Sequence, residues 1–302
     1  MGKLNGQVAV VTGAGRGIGA ATALACAREG ARVALVARTT AQIMQVEQEI
    51  VSRGGTAAAI PGDVTDANAV EAMMAETADR LGSITLLVNN AGVFRSVGPV
   101  WETDPTKWWR DMTVNVLGVY LCARQVLPGM MARKTGRIVN LIGGGADKPF
   151  PYGSAYGSSK TAVMRFTESL AAEVKEHNVK VFNLRPGFIR TAMSEWLSSD
   201  PNARRWLHID NRFERQEDVP AARAADLAVE IASGRFDALS GRAIRVVDDP
   251  LQIEANIQRI LWSDLYTLRM RDLSSSDRIP NAISHLFNSL RERFRPRTRQ
   301  SH

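Results

Sequence analysis

The 302-residue chain predicts an α/β fold, a doubly wound parallel sheet of about seven strands with a C-terminal helical extension. Three observations predict it. Apolar runs of strand length alternate with segments of helical periodicity from the start of the chain. These runs are continuous, the pattern of strands covered by helices on both faces. A glycine-rich turn, Thr12-Gly13-Ala14-Gly15-Arg16-Gly17-Ile18-Gly19, joins the first run to the first helix.

The elements follow in order. Val8–Val11 is the first strand, and Gly19–Glu29 has helical spacing and stops at Gly30. Ala31–Ala37 is the second strand, and Ala41–Arg53 an amphipathic helix closed by Gly54 and Gly55. Ala57–Pro61 is the third strand and Asp66–Leu81 the third helix. Leu86–Val88, Ile138–Ile142, Val179–Leu184 and Ala243–Val247 complete the sheet. Residues 1–248 are expected to form one domain, followed by a helical extension over 249–290 and a basic tail over 291–302 that is expected to be disordered. Asp249 suits an N-cap, Pro250 the first helical position, and Gln252 the return arm of a capping box. Ile253, Ile257, Ile260, Leu261, Leu265 and Leu268 recur at helical spacing, so this helix should pack on the body or on a second subunit. A polar break at Leu273–Asp277 precedes a short amphipathic piece at Ala282–Leu290. The tail carries five arginines and little apolar content.

Composition narrows the function classes. Hydrophobic residues make up 45% of the chain, as a soluble globular protein requires. No apolar run approaches the roughly 18–20 residues of a membrane span, and no signal-peptide pattern opens the chain, so no membrane role is expected. The net charge of +7 divides into +3 over residues 1–250 and +4 over 251–302, with no basic stripe interleaved with aromatics, so a nucleic-acid partner is not expected. Cys26 and Cys122 lie in helix-like segments, which argues against a disulfide framework and for a reducing cytoplasm. Nothing resembles metal-ligand spacing.

Two constellations carry chemistry. In the glycine turn, Gly13 permits a tight bend, and Gly17 and Gly19 permit close approach of backbone, pyrophosphate and sheet. The following helix offers unpaired N–H groups and its positive dipole end to phosphates, a Rossmann-like arrangement. The second strand ends Val36-Ala37-Arg38-Thr39-Thr40, without the acid that would accept a ribose hydroxyl and repel a 2′-phosphate. Arg16 and Arg38 stand where two guanidinium groups can clasp that phosphate, so NADP(H) is the expected cofactor. Tyr156 and Lys160 are four apart, hence on one helix face, where an ammonium favours the ionised phenol and lowers its pKa from roughly 10. Hydride transfer with a tyrosine moving the proton is the chemistry these residues suggest.

With these residues in place, the chain over about 5–248 resembles the short-chain dehydrogenase/reductase family. The motifs are Thr12–Gly19, Asp63-Val64, Asn89-Asn90-Ala91-Gly92, Asn115, Tyr156-Gly157-Ser158-Ser159-Lys160 and Pro186-Gly187-Phe188-Ile189-Arg190-Thr191. The resemblance implies that Ile18 lies with the glycines in the cofactor turn, that Asp63 contacts the adenine amine, and that Val64 lies against the ring. It implies that Asn90, Ala91 and Gly92 lie beneath the adenosine ribose. Asn115 would hold a water linking Lys160 to solvent. Tyr156 would exchange a proton with the substrate, and Lys160 would hold the nicotinamide ribose. Pro186, Gly187, Ile189 and Thr191 would approach the nicotinamide. The family also implies a homodimer or homotetramer formed through the helices carrying Asn115 and Tyr156, with Leu121, Val126, Val163 and Phe166 on that face.

One departure bears on activity. The family's serine, thirteen positions before the tyrosine, is Gly143 here, within Ile142-Gly143-Gly144-Gly145. Either backbone N–H groups of Gly143–Gly145 replace the hydroxyl as an oxyanion hole does, or Ser154 or Tyr152 reaches the substrate, or hydride transfer is lost. Between Thr191 and Val219, where the family has a lid, Trp196, Leu197, Trp206, Leu207 and Phe213 are interleaved with Arg204, Arg205 and Arg212. They either line a pocket for an apolar small-molecule substrate, joined by Phe94 and Phe150, or pack the lid on the body. The expected function is an NADP(H)-dependent oxidoreductase acting on a carbonyl/alcohol pair. The alternatives are a non-catalytic NADP(H)-binding sensor or scaffold, and an isomerase or dehydratase on the same site.

Overall fold

A computed structural model describes residues 1–270. The chain winds β1 (Val8–Thr12), α1 (Gly17–Arg28), β2 (Arg32–Ala37), α2 (Thr40–Ser52), β3 (Thr56–Pro61), α3 (Ala67–Leu81) and β4 (Leu86–Asn89). It continues through α4 (Pro105–Met112), α5 (Gly118–Ala132), β5 (Gly136–Leu141), α6 (Ser154–Glu173) and β6 (Val179–Arg185). Then come α7 (Ala192–Ser199), α8 (Pro201–Leu207), α9 (Asp210–Glu214), α10 (Ala221–Ala232), β7 (Ala243–Arg245), α11 (Pro250–Ala255) and α12 (Ile257–Leu261). All seven strands pair in parallel in the order β3-β2-β1-β4-β5-β6-β7. The order reverses beside β1, between β1 and β4, and that crevice at the strand ends is where ligands bind in such sheets.

The strand sequences explain the layering. β1 and β4 are buried along their whole length. Their alternate residues feed two apolar clusters: Ala9, Val11, Leu86 and Val88 in one, Val8, Val10 and Leu87 in the other. Helices therefore cover both faces. A polar chain crosses the β5–β6 half of the sheet. Asn89 Nδ2 donates to Asn140 Oδ1 at 2.9 Å, Asn140 Nδ2 to Thr167 Oγ1 at 2.9 Å, and Thr167 Oγ1 to Asn183 Oδ1 at 2.8 Å. All four residues are buried, so each group is satisfied internally and α6 is tied in register to three strands.

The extension departs from expectation. Asp249 caps α11 by accepting from Leu251 N at 2.9 Å, with Pro250 in the first helical position. A reciprocal bond from Gln252 is not among the interactions of this cap. The expected single helix breaks at Asn256, whose φ/ψ of −114°/14° is not helical, and residues 263–268 are not helical either. Tyr266 has φ 63°, and its carbonyl accepts from Ala243 N at 2.9 Å, so this segment lies beside β7. A backbone bond to the sheet replaces the next helical turn. Ile253 and Ile260 do reach the core. Residues 249–268 form one compact unit with the sheet, Met1–Leu268. The piece expected at 282–290 and the tail at 291–302 lie outside the described residues. No helix among the described residues is long and apolar enough to cross a membrane.

Candidate active site

The glycine turn closes on β4. Thr12 Oγ1 accepts from Asn90 N and Ala91 N, both at 3.0 Å, and Asn90 Nδ2 donates to Thr12 O at 2.9 Å. A Cβ on Gly13 would stand 2.9 Å from Asn90 Nδ2, and one on Gly19 would overlap the Gly13 carbonyl oxygen. Both positions therefore tolerate only glycine. Gly17 has φ 58° and opens α1, whose start no side chain caps. The first N–H groups of α1 are thus available to an anion.

Along the crevice runs a cavity of about 440 Å³. Its walls include Gly13, Arg16, Gly17, Ile18, Arg38, Asp63, Val64, Asn90, Ala91 and Gly92 at one end. At the other are Tyr156, Lys160, Pro186 and Thr191. Four expected residues are not in the wall. Gly19 packs under the turn, and Asn115 and Ile189 are buried. Gly187 provides a bend at φ 79° with no room for more than hydrogen beside Val219 and Val246. Sequence reasoning missed Gln42 and Arg110, which also line the cavity. Gln42 lies in the first turn of α2, which follows directly on Arg38 and Thr39. Arg110 comes from α4, and no local signal links it to Arg38.

At the Arg38 end, Arg16, Arg38 and Arg110 line the cavity with a single carboxylate, Asp63, which Arg38 and Arg110 flank. Asp63 Oδ2 is 3.8 Å from Arg38 and 3.6 Å from Arg110. Partial burial pushes the Asp63 pKa up, but hydrogen bonds from the Thr65 backbone and hydroxyl, with the two arginines, pull it below the usual carboxylate value. Asp63 stays ionised, and the end remains net positive. The glycine cradle, the uncapped helix start and the excess of guanidinium groups fit a phosphorylated dinucleotide.

At the tyrosine end, Lys160 is 5% exposed and donates from Nζ to Leu141 O at 3.0 Å. Burial lowers its pKa from 10.5 to about 8. Tyr156 differs from expectation. Its pKa is pushed up to about 12, by burial first and by the Asp111 carboxylate second. The Lys160 ammonium lies 5.7 Å from the Tyr156 ring centroid and gives its hydrogen bond to a carbonyl, so the expected drop toward neutrality is absent. Phe94 stacks on Tyr156 at 4.5 Å and 14°, which fixes the ring. Asn115 sits in a π-turn, Thr113–Leu117. It accepts from Val93 N at 2.8 Å and donates to Val93 O at 2.9 Å and Ser159 Oγ at 3.0 Å. Its side chain is therefore spent on holding the strand-end loop to α6.

The glycine run lies under the tyrosine. A Cβ on Gly143 would overlap Tyr156 Oη and stand 3.1 Å from Cζ, so the phenol occupies the space of a side chain at 143. Gly144 and Gly145 pack against Phe150, and none of Gly143–Gly145 is in the cavity wall. Neither candidate replacement hydroxyl reaches the cavity. Ser154 Oγ accepts from Trp108 Nε1 at 3.1 Å, and Tyr152 packs on Trp206 at 4.6 Å. The lid aromatics resolve toward packing. Leu197, Trp196, Trp206, Leu207, Phe213, Phe94 and Phe150 form one cluster with Tyr156. Of the residues expected on an oligomer face, Val126 and Val163 are buried inside the chain, and Leu121 and Phe166 are half-buried.

The comparisons agree with this geometry. The family model for short chain dehydrogenases matches residues 7–202. Galactitol 2-dehydrogenase of Rhizobium johnstonii is 36% identical over 256 residues, covering 81% of this chain and 95% of that protein. Among solved structures, a gluconate 5-dehydrogenase from Burkholderia cenocepacia in complex with NADP and tartrate superposes with TM-score 0.73 at 28% identity, covering 82% of this chain and 96% of that one. A metagenomic short-chain oxidoreductase in complex with NADP superposes with TM-score 0.64 at 33% identity, covering 76% and 92%. With its sheet order, its glycine cradle and its paired Tyr156 and Lys160, the chain belongs to the short-chain dehydrogenase/reductase family of oxidoreductases.

Proposed function

We propose that the protein is an NADP(H)-dependent oxidoreductase that interconverts a carbonyl and an alcohol on an apolar small molecule, with Tyr156 as proton donor or acceptor. One observation carries this reading: a single cavity joins three guanidinium groups at one end to Tyr156 and Lys160 at the other. A bound nicotinamide cofactor supplies or accepts the hydride. Arg16 and Arg38 bind the 2′-phosphate, with Arg110 adding charge. NADP in the two neighbouring complexes supports that choice. Lys160, held by the Leu141 carbonyl, would bind the nicotinamide ribose through its remaining N–H groups. Tyr156 Oη gives its proton to the carbonyl oxygen in reduction and recovers one from the alcohol in oxidation. Burial and the Asp111 carboxylate keep the phenol protonated at neutral pH, the form that can donate to a carbonyl. Gly143, where the family has serine, leaves the tyrosine without a neighbouring side-chain hydroxyl, and the Phe94 stack fixes the ring instead. On the family resemblance we assign a homodimer or homotetramer.

The test is a titration of the protein with NADPH and NADH by nicotinamide fluorescence, followed by consumption assays on a panel of ketones. NADPH should bind at least about tenfold tighter than NADH, as expected for charge-assisted bonds to one extra phosphate. Ketone-dependent consumption should disappear in Tyr156→Phe. Binding without consumption of any ketone would point to a sensor, and substrate conversion without net cofactor change to an isomerase.

A further inference from the structure

Four arginines lie on aromatic rings of the lid and its surroundings. Arg190 covers Phe213 at 4.1 Å, Arg212 covers Phe188 at 4.0 Å, Arg205 covers Trp206 at 4.7 Å, and Arg95 covers Trp196 at 4.3 Å. Arg190 and Arg212 have carboxylate partners, Asp218 at 3.5 Å and Glu217 at 2.8 Å. Arg205 does not line the cavity. Arg95 differs from all three. It lines the cavity and is exposed, and among the described residues its guanidinium has no carboxylate within ion-pair distance and no hydrogen-bond acceptor; the carboxylate its charge does influence, Asp111, is buried and occupied by backbone N–H groups.

The group is also held in place. Asp111, fully buried, accepts from Arg95 N at 2.9 Å and from Ser96 N at 2.9 Å. The residue before Arg95 is Phe94, stacked on Tyr156. Trp196 belongs to the same apolar cluster as Phe94 and Tyr156. The backbone of Arg95 is thus fixed from below and its guanidinium plane from the side, at the tyrosine end of the cavity. Two of the guanidinium groups assigned to the dinucleotide, Arg38 and Arg110, gather around Asp63 instead. Stacking on an indole satisfies the face of a guanidinium and leaves its N–H edge for a planar or tetrahedral anion.

We propose that Arg95 binds an anionic group, a carboxylate or a phosphate, carried by the carbonyl substrate, so that the substrate class is an apolar or aromatic carbonyl compound with an acidic end. This rests on the oxidoreductase reading of the site. No covalent step is involved; Arg95 selects and orients.

Calorimetric titration of the NADPH-loaded full-length protein tests it with three probes of one shape: phenylacetate, phenyl phosphate and the neutral phenylacetamide. At least one anion should bind about tenfold or more tightly than the amide, the range of a charge-assisted hydrogen bond. The better of the two anions identifies the acidic group. Arg95→Gln should bring the anion-to-amide ratio within about twofold, and Arg95→Lys should restore part of it. An amide that binds as well as both anions, a ratio unmoved by Arg95→Gln, or no binding of any probe overturns the proposal. So does a loss of NADPH affinity in Arg95→Gln, which would give the arginine to the dinucleotide. Failure of the wild type to bind NADPH defeats the oxidoreductase reading instead, and the same titrations without NADPH still judge Arg95.

Discussion

The two ends of the cavity are built on different principles. The dinucleotide end is made of backbone, glycine and exposed charge, mostly within the first three βα units. The tyrosine end is made of side chains brought from β4, α4, α6 and the lid, and it is aromatic and largely dry. At the first end partial burial pushes the Asp63 pKa up, but hydrogen bonds from Thr65 and the charges of Arg38 and Arg110 outweigh it and hold the carboxylate below its usual pKa. At the second, burial raises Tyr156 and lowers Lys160. Desolvation separates the two ends, and it gives the tyrosine end its acid.

The sharpest way to separate the two ends is Tyr156→Phe. Turnover should fall by roughly 10²–10⁴-fold, the usual contribution of a positioned acid or base, while NADPH affinity changes little. A comparable loss of affinity would show that the ends are not independent. Next in size is the buried ammonium. A shift of Lys160 from 10.5 to about 8 corresponds to roughly 3 kcal/mol of destabilisation, since each unit is about 1.4 kcal/mol. The unfolded chain binds more protons than the folded one between those pH values, so stability rises as pH rises from about 8 to 10.5, and the full cost applies below pH 8. Lys160→Met should therefore be more stable than the wild type at neutral pH. Urea unfolding at several pH values should show that advantage shrinking above pH 8.

At the other end, Arg38→Leu should reduce the preference for NADPH over NADH by about 10–100-fold, with kcat at saturating NADPH nearly unchanged. An unchanged preference would leave Arg16 and Arg110 as the phosphate site. The smallest expected effect concerns the family serine. Gly143→Ser places a Cβ in the space of Tyr156 Oη, so overpacking should cost about 1–3 kcal/mol and lower turnover. If the variant instead gained activity at unchanged thermal stability, the tyrosine would have a second seat.

How far the site was legible depends on the kind of contact. The strands were readable because each is a continuous apolar run, and their observed bounds differ by a residue or two at the ends. The glycine positions and Arg38 were readable because their meaning is local. Asn90 lines the cavity, and its amide also stitches the turn to the end of β4, a contact spanning 78 residues in sequence that no local pattern signals. The buried chain of Asn89, Asn140, Thr167 and Asn183 had no local signal, since each partner lies on a different element. The extension misled because apolar spacing at Leu265 and Leu268 is compatible with a helix, whereas the edge of β7 offered the backbone a competing partner.

By itself the sequence determined the family, the wound sheet, the phosphate cradle and the pairing of Tyr156 with Lys160, because these rest on residues close together in the chain or on the period of its apolar runs. Only the tertiary structure decided that the phenol's pKa is raised, that the glycine run lies beneath it, and that Arg95, among the four ring-stacked arginines, lines the cavity without an ion-paired carboxylate among the described residues. Those properties depend on which groups from distant elements exclude water from one another, and no local pattern encodes that exclusion.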